Sequence, residues 1–105
     1  MSKEISVEEA KKMIDEGATV VDVRTPQEFE EGHIPGSIHA PMDEFTNFLG
    51  QLEGKEPIIM VCEVGQASRQ AGMLADAYGG LDGDEIYNLE DGIVEWDGKL
   101  EEGEE

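Results

Sequence analysis

Cys62 is the only cysteine in the chain, and it ends the run Pro57-Ile58-Ile59-Met60-Val61. A short, continuous apolar run of this kind suits a strand buried on both faces. Gly65 follows, and from Ser68 the apolar residues take helical spacing. A thiol is thus expected at the C-terminal mouth of a strand, on a tight loop facing a helix N-terminus. Open α/β sheets collect their chemistry at such places. A helix start offers unpaired backbone N–H groups and about half a unit of positive charge. The loop can turn the amides of Glu63, Val64, Gly65, Gln66, Ala67 and Ser68 around the sulfur as an anion cradle. Gly65 supplies the unusual backbone angles that this needs. Amides around the sulfur stabilise the thiolate, the nucleophilic form. The same position also suits an inert cysteine closing a core strand. Location alone leaves the two readings open.

Two cations stand near this loop in different ways. Arg69 follows Ser68, already inside the expected helix. Arg24 lies just after the β-branched run Thr19–Val23 and reaches either the mouth of the site or a polar network with Asp22 and Glu28. His33 sits in the turn Gly32-His33-Ile34-Pro35-Gly36, which favours holding backbone carbonyls over acting as a general base. Met42 and Met73 either line an apolar entrance or fill gaps.

The elements that must position these residues alternate. Lys3–Ile5 reads as a brief strand. Ser6 and Glu9 form a capping box for a helix that ends at Gly17. Thr19–Val23 is a strand. Thr25 caps a short helix with Pro26 at its first position, running to about Glu31. Ser37–Ala40 is a short strand. Met42–Leu52 reads as a helix with Phe45, Phe48, Leu49 and Leu52 on one face. Ser68–Tyr78 is a helix with Ala71, Leu74, Ala75 and Tyr78 inward, closed by Gly79 and Gly80. Glu85–Leu89 is a strand, and Asp91–Asp97 a turn with a short helix holding Trp96. Alternation of this kind predicts an α/β fold with a mostly parallel open sheet and helices on both faces. The expected domain covers residues 1–99, with an acidic, disordered tail at 100–105.

Composition narrows the function. With 105 residues there is room for one domain and a modest core. Twenty-six acids oppose seven bases, a formal net charge of −19. This disfavours binding nucleic acid or an anionic membrane through a basic patch. No apolar run approaches the ~20 residues that span a bilayer, and the N-terminus lacks an apolar signal segment, so the cytoplasm is the expected location. One cysteine makes no internal disulfide, and two histidines without spaced partners make no metal site. The acids are spread along the chain. We read this as halophilic adaptation, because molar salt shortens the Debye length to about 3 Å and screens self-repulsion. Equal unfolding midpoints in low and molar KCl would contradict that reading.

The chain resembles single-domain rhodaneses, the sulfurtransferase module, over roughly Ile5 to Lys99. Asp22-Val23-Arg24 with Glu28-Phe29 matches one family segment, and Gly32-His33-Ile34-Pro35-Gly36-Ser37 with Ala40 another. Cys62–Ser68 matches the active loop Cys-x-x-Gly-x-Arg-Ser, with Ala67 at the arginine position. Gly92–Trp96 matches the closing Gly-Gly-x-x-x-Trp segment, with Asp91 in place of the first glycine. The resemblance implies a rhodanese-like open parallel sheet of about five strands. It also implies that Cys62 accepts sulfane sulfur as a persulfide and passes it to a thiol or cyanide, with no cofactor. Arg24 and Arg69 are the cations near enough to help a donor. Glu63 puts a negative charge in the loop, which disfavours dianionic thiosulfate and favours a persulfide-bearing protein as donor. A phosphatase loop on a related fold needs arginine at position 68, which is Ser68 here. The remaining alternative is a catalytically idle partner-binding module. The residues leave the oligomeric state open.

Overall fold

The computed structural model describes residues 3–103. Five strands form one sheet: β1 (Lys3–Ile5), β2 (Thr19–Asp22), β3 (Ile38–His39), β4 (Ile58–Val61) and β5 (Ile86–Leu89). Their order is β1-β5-β4-β2-β3, and every pairing is parallel. Parallel neighbours need crossover connections, and the helices supply them. The central strand is β4, all four residues of which are buried.

Side chains alternate across a strand, so β4 feeds two cores. Ile58, Met60 and Cys62 face one side with Phe45, Leu49, Leu52, Ala71 and Ala75. Ile59 and Val61 face the other with Val7, Ala10, Leu89 and Ile93. Helices therefore cover both faces, as the alternation of elements predicts. Each fully buried large side chain contributes about 1.5–3 kcal/mol.

Local signals set the short helices. In α1 (Val7–Asp15), the Ser6 hydroxyl accepts from the Glu9 amide at 3.1 Å and the Glu9 carboxylate accepts from the Ser6 amide at 2.8 Å. In α2 (Pro26–Glu31), Thr25 and Glu28 close the same box, with proline at the start. The expected helix over Met42–Leu52 is instead a 3₁₀ stretch, Met42–Phe48, leading into a single α turn, α3 (Leu49–Leu52). No side chain caps its start after Pro41, and Thr46 and Asn47 are weak helix formers. Burial of Phe45, Leu49 and Leu52 holds the segment in place.

The last long helix, α4 (Gln66–Tyr78), starts two residues before the expected Ser68. Its buried face is Ser68, Ala71, Gly72 and Ala75, whereas Leu74 and Tyr78, expected inward, are exposed. The expected helix after Asp91 is a 3₁₀ turn, Ile93–Glu95. Within the tail expected to be disordered, Glu101 and Gly103 are paired with the body of the domain. Glu101 and His33 exchange backbone hydrogen bonds of 2.9 and 2.8 Å, and the Gly103 amide donates to Glu30 at 2.7 Å. The bridge satisfies the backbone of buried His33. Residues 104 and 105 lie outside the described residues. Among the described residues no helix is long and apolar enough to cross a membrane.

Candidate active site

Cys62 continues the register of Ile58 and Met60, so its side chain turns toward α4. It is 4% exposed. The Gly65 amide donates to its Sγ at 3.1 Å. The Ser68 hydroxyl oxygen lies 3.3 Å from the same sulfur and also makes a short contact with Asn88 Oδ1. Both Ser68 and Asn88 are fully buried. The sulfur thus rests against neutral groups.

Gly65 explains why the helix begins early. It has φ +93° and occupies the N-cap position of α4, with no side-chain cap. The first-turn amides of Gln66, Ala67 and Ser68 are therefore not claimed by a capping side chain. Ser68 falls in that first turn instead of at the cap, which aims its hydroxyl at Cys62. A Cβ on Gly65 would strike the Glu90 carbonyl. One on Gly92, φ +78°, would strike the Glu63 carbonyl. Two backbone bonds close the junction: the Ile93 amide donates to Cys62 O at 2.9 Å and the Val94 amide to Glu63 O at 3.3 Å. The loop is thus tied to the chain after β5 as well as to its own helix.

A cleft of about 370 Å³ opens in front of the sulfur. Cys62, Met42, Gln66 and Ala67 meet there with Arg24 and Glu63. A neighbouring cleft of about 300 Å³ shares Arg24, Glu28 and Glu63 and adds Glu31, Val94 and Leu100. Val64, at the loop tip, is 54% exposed.

Arg24 is buried at the junction of the two clefts. Its Nη2 donates to Asp22 Oδ2 at 2.9 Å and to Gly32 O at 2.7 Å, and its Nε donates to Asp22 Oδ1 at 3.1 Å. Its Nη1 donates to Glu63 Oε1 at 3.4 Å. Burial opposes the charge on this guanidinium. Hydrogen bonds and attraction from Asp22, and then from Glu63, outweigh burial and raise its pKa above the ordinary arginine value. Arg24 lines the cleft and its donors are occupied by Asp22, Gly32 and Glu63; Glu28, expected in that network, instead closes the capping box with Thr25.

The other candidates separate. Arg69 lies away from the cleft, where its Nε donates to Glu4 Oε2 at 3.2 Å. His33 donates from Nδ1 to Phe29 O at 2.8 Å and stacks on the Phe29 ring, and His39 donates from Nε2 to Arg24 O at 2.7 Å. Both act on backbone carbonyls. Met42 lines the cleft, while Met73 is exposed on α4. Among the described residues no three His, Cys, Asp or Glu side chains gather to hold a metal ion. Asn88 is the site residue that sequence reasoning missed. Its signal is a polar, low-β-propensity residue inside the strand Ile86-Tyr87-Asn88-Leu89.

The rhodanese-like domain family matches residues 6–99. The chain is 33% identical over 94 residues to thiosulfate sulfurtransferase GlpE of Pseudomonas syringae pv. syringae, covering 90% of this chain and 86% of the relative. It is 32% identical over 100 residues to the putative sulfur carrier protein YrkF of Bacillus subtilis, covering 93% of this chain and 52% of that protein. The structure of a rhodanese-like domain protein from Staphylococcus aureus superposes with a TM-score of 0.82 at 30% identity, over 97% of this chain and 99% of the other. By match, motif order and fold, the chain belongs to the rhodanese-like domain family.

Proposed function

We propose that the chain is a sulfurtransferase in which Cys62 carries sulfane sulfur as a persulfide. The Cys62 thiolate attacks the outer sulfur of a donor. A bond forms from Sγ to that sulfur, the donor's bond to it breaks, and the donor leaves with the electron pair. An acceptor thiolate or cyanide then attacks the outer sulfur, and Sγ departs as thiolate with the pair from the Sγ–S bond. The transfer needs no external oxidant or reductant. The carrying observation is the single buried cysteine with the Gly65 amide on its sulfur, opening into a cleft large enough for a small donor or a partner's thiol. The uncapped first turn of α4 offers further N–H donors to the outer, charged sulfur of the persulfide. Relatives named as thiosulfate sulfurtransferases support the same class.

The donor we favour is a persulfide-bearing protein over free thiosulfate. Arg24 is committed to Asp22, Gly32 and Glu63, and Glu28 and Glu63 line the cleft. A dianion meets carboxylates there, and among the described residues lining the cleft no cation is free of a carboxylate partner.

Mass spectrometry after incubation with thiosulfate, and separately with a persulfidated donor protein, tests the reading. The expected result is a gain of one sulfur atom, removed by cyanide and lost in Cys62→Ser. Absence of the adduct with every donor would overturn the enzyme reading and leave a partner-binding module. Faster loading from thiosulfate than from the protein donor would overturn the donor preference alone.

A further inference from the structure

A hydrogen count around Ser68 carries one step further. Asn88 Nδ2 donates to Glu4 Oε1 at 2.7 Å and to Gly65 O at 3.1 Å. Both partners only accept, so the amide orientation is settled and Oδ1 faces Ser68 Oγ. Oδ1 itself only accepts, and Ser68 has one hydroxyl hydrogen. The short Ser68–Asn88 contact therefore takes that hydrogen. The Ser68 oxygen then presents a lone pair to Cys62 Sγ, 3.3 Å away. A lone pair there suits a neutral sulfur and opposes a thiolate. For Ser68 to donate to a thiolate, its hydrogen must leave Asn88, and Oδ1 is left buried against an oxygen.

We propose that Asn88 is a positioning residue that holds the Ser68 hydrogen away from Cys62 and so favours the states in which Sγ is uncharged, the thiol and the inner sulfur of a persulfide. Glu4 reinforces it, because a carboxylate on Nδ2 polarises the amide and strengthens Oδ1 as acceptor. Glu4 is anchored in turn by Arg69. A hydrogen-bonded chain thus links the thiol to the surface at the β1 edge, on the opposite side from the cleft. The consequence for sulfur loading rests on Cys62 being the sulfur carrier. The consequence for thiol ionisation does not.

The test is the pH profile of Cys62 alkylation by iodoacetamide in the full chain. In Asn88→Leu the Ser68 hydrogen is released to the sulfur. The midpoint should move to lower pH, with the thiolate fraction on the rising limb up about three- to ten-fold. The charged groups around the sulfur, namely Asp22, Arg24, Glu28, Glu63, Glu4 and Arg69, are the same in both proteins. In a Ser68→Ala background the Asn88→Leu shift should vanish, since no hydrogen remains to redirect. An unmoved or raised midpoint overturns the proposal, and so does an equal shift without Ser68. Should Asn88→Leu fail to fold, Glu4→Gln decides. It should move the midpoint in the same direction by about two-fold with Ser68 present. An effect of the same size in Ser68→Ala would be direct charge repulsion and would overturn the relay. Sulfur loading, measured by mass, should shift toward the unloaded form in Asn88→Leu. A normal alkylation shift with no loading in any protein would instead refute the carrier reading.

Discussion

The two sides of Cys62 are built from opposite materials. Behind the sulfur stand Gly65, Ser68 and Asn88: neutral, buried and joined by hydrogen bonds with one proton to share. In front stand Arg24, Glu28 and Glu63, charged and open to the clefts. The rear wall acts on the charge state of the sulfur. The front acts on what reaches it. Hydrogen bonds among neutral groups at the rear are strong because water is excluded. Charges at the front are screened wherever they meet solvent, as the half-exposed Glu63 does. Substitutions on the two sides should therefore separate into effects on the thiol and effects on the donor.

The largest effect tests the front. Arg24→Ala leaves Asp22, 1% exposed, as an uncompensated buried carboxylate. Loss of one partner of such a pair costs about 3–5 kcal/mol. Chemical denaturation should show a drop of that size, and Asp22→Asn should recover part of it in the double variant. A loss below about 1 kcal/mol, with thiosulfate KM rising instead, would make Arg24 a free substrate cation and collapse the distinction between structural charge and donor contact.

At the rear, Gly65→Ala should cost less stability and more chemistry. A side chain at φ +93° is strained by about 1–2 kcal/mol, and its Cβ meets the Glu90 carbonyl. The loop must move, which takes the amide from the sulfur. The unfolding free energy should fall by about 2–3 kcal/mol while alkylation of Cys62 slows. Unchanged alkylation in a folded Gly65→Ala protein would remove the loop amide from the account.

The two sides also differed in how well the sequence announced them. The strand before Cys62, both capping boxes and the Pro26 helix start were legible because each is a local signal: apolar run, cap residue, proline at the first turn. The place of the loop is legible too, because Cys62, Gly65 and Ser68 lie within seven consecutive residues, but of the six amides expected around the sulfur only that of Gly65 donates to Sγ among the described residues. The partner of Ser68 is not legible. Asn88 lies on β5 beside Met60 of β4 and meets Ser68 on α4, which packs over the sheet, and no local pattern encodes which strand residue that helix covers. Helix type differs at Met42–Phe48 because the Phe45–Phe48 spacing of three residues fits a 3₁₀ turn as well as an α-helix. The position of Arg69 just after Ser68 predicts a site cation, yet the helix turns it to Glu4. Distance along the chain is a poor guide once a helix has begun, since adjacent residues point about 100° apart.

The smallest effect is the most selective. Glu63→Gln removes one exposed charge from the cleft rim, and its ion pair with Arg24 at 3.4 Å is half-exposed, so stability should change by less than about 1 kcal/mol. Arg24 would then lose one of its two carboxylate partners, and the cleft would present a less opposed cation to an anionic donor. Thiosulfate KM should fall by about three- to ten-fold, since one charge at close range in a solvated site is worth about 1 kcal/mol. Added salt should lower the wild-type KM in the same direction and shrink the difference between the two proteins. The pH midpoint of alkylation should move far less than in Asn88→Leu, because Glu63 faces the donor and Asn88 faces the sulfur. If Glu63→Gln moved that midpoint as much as Asn88→Leu and left KM alone, the charge at the front would be acting on the thiol, and the two walls would be one electrostatic unit.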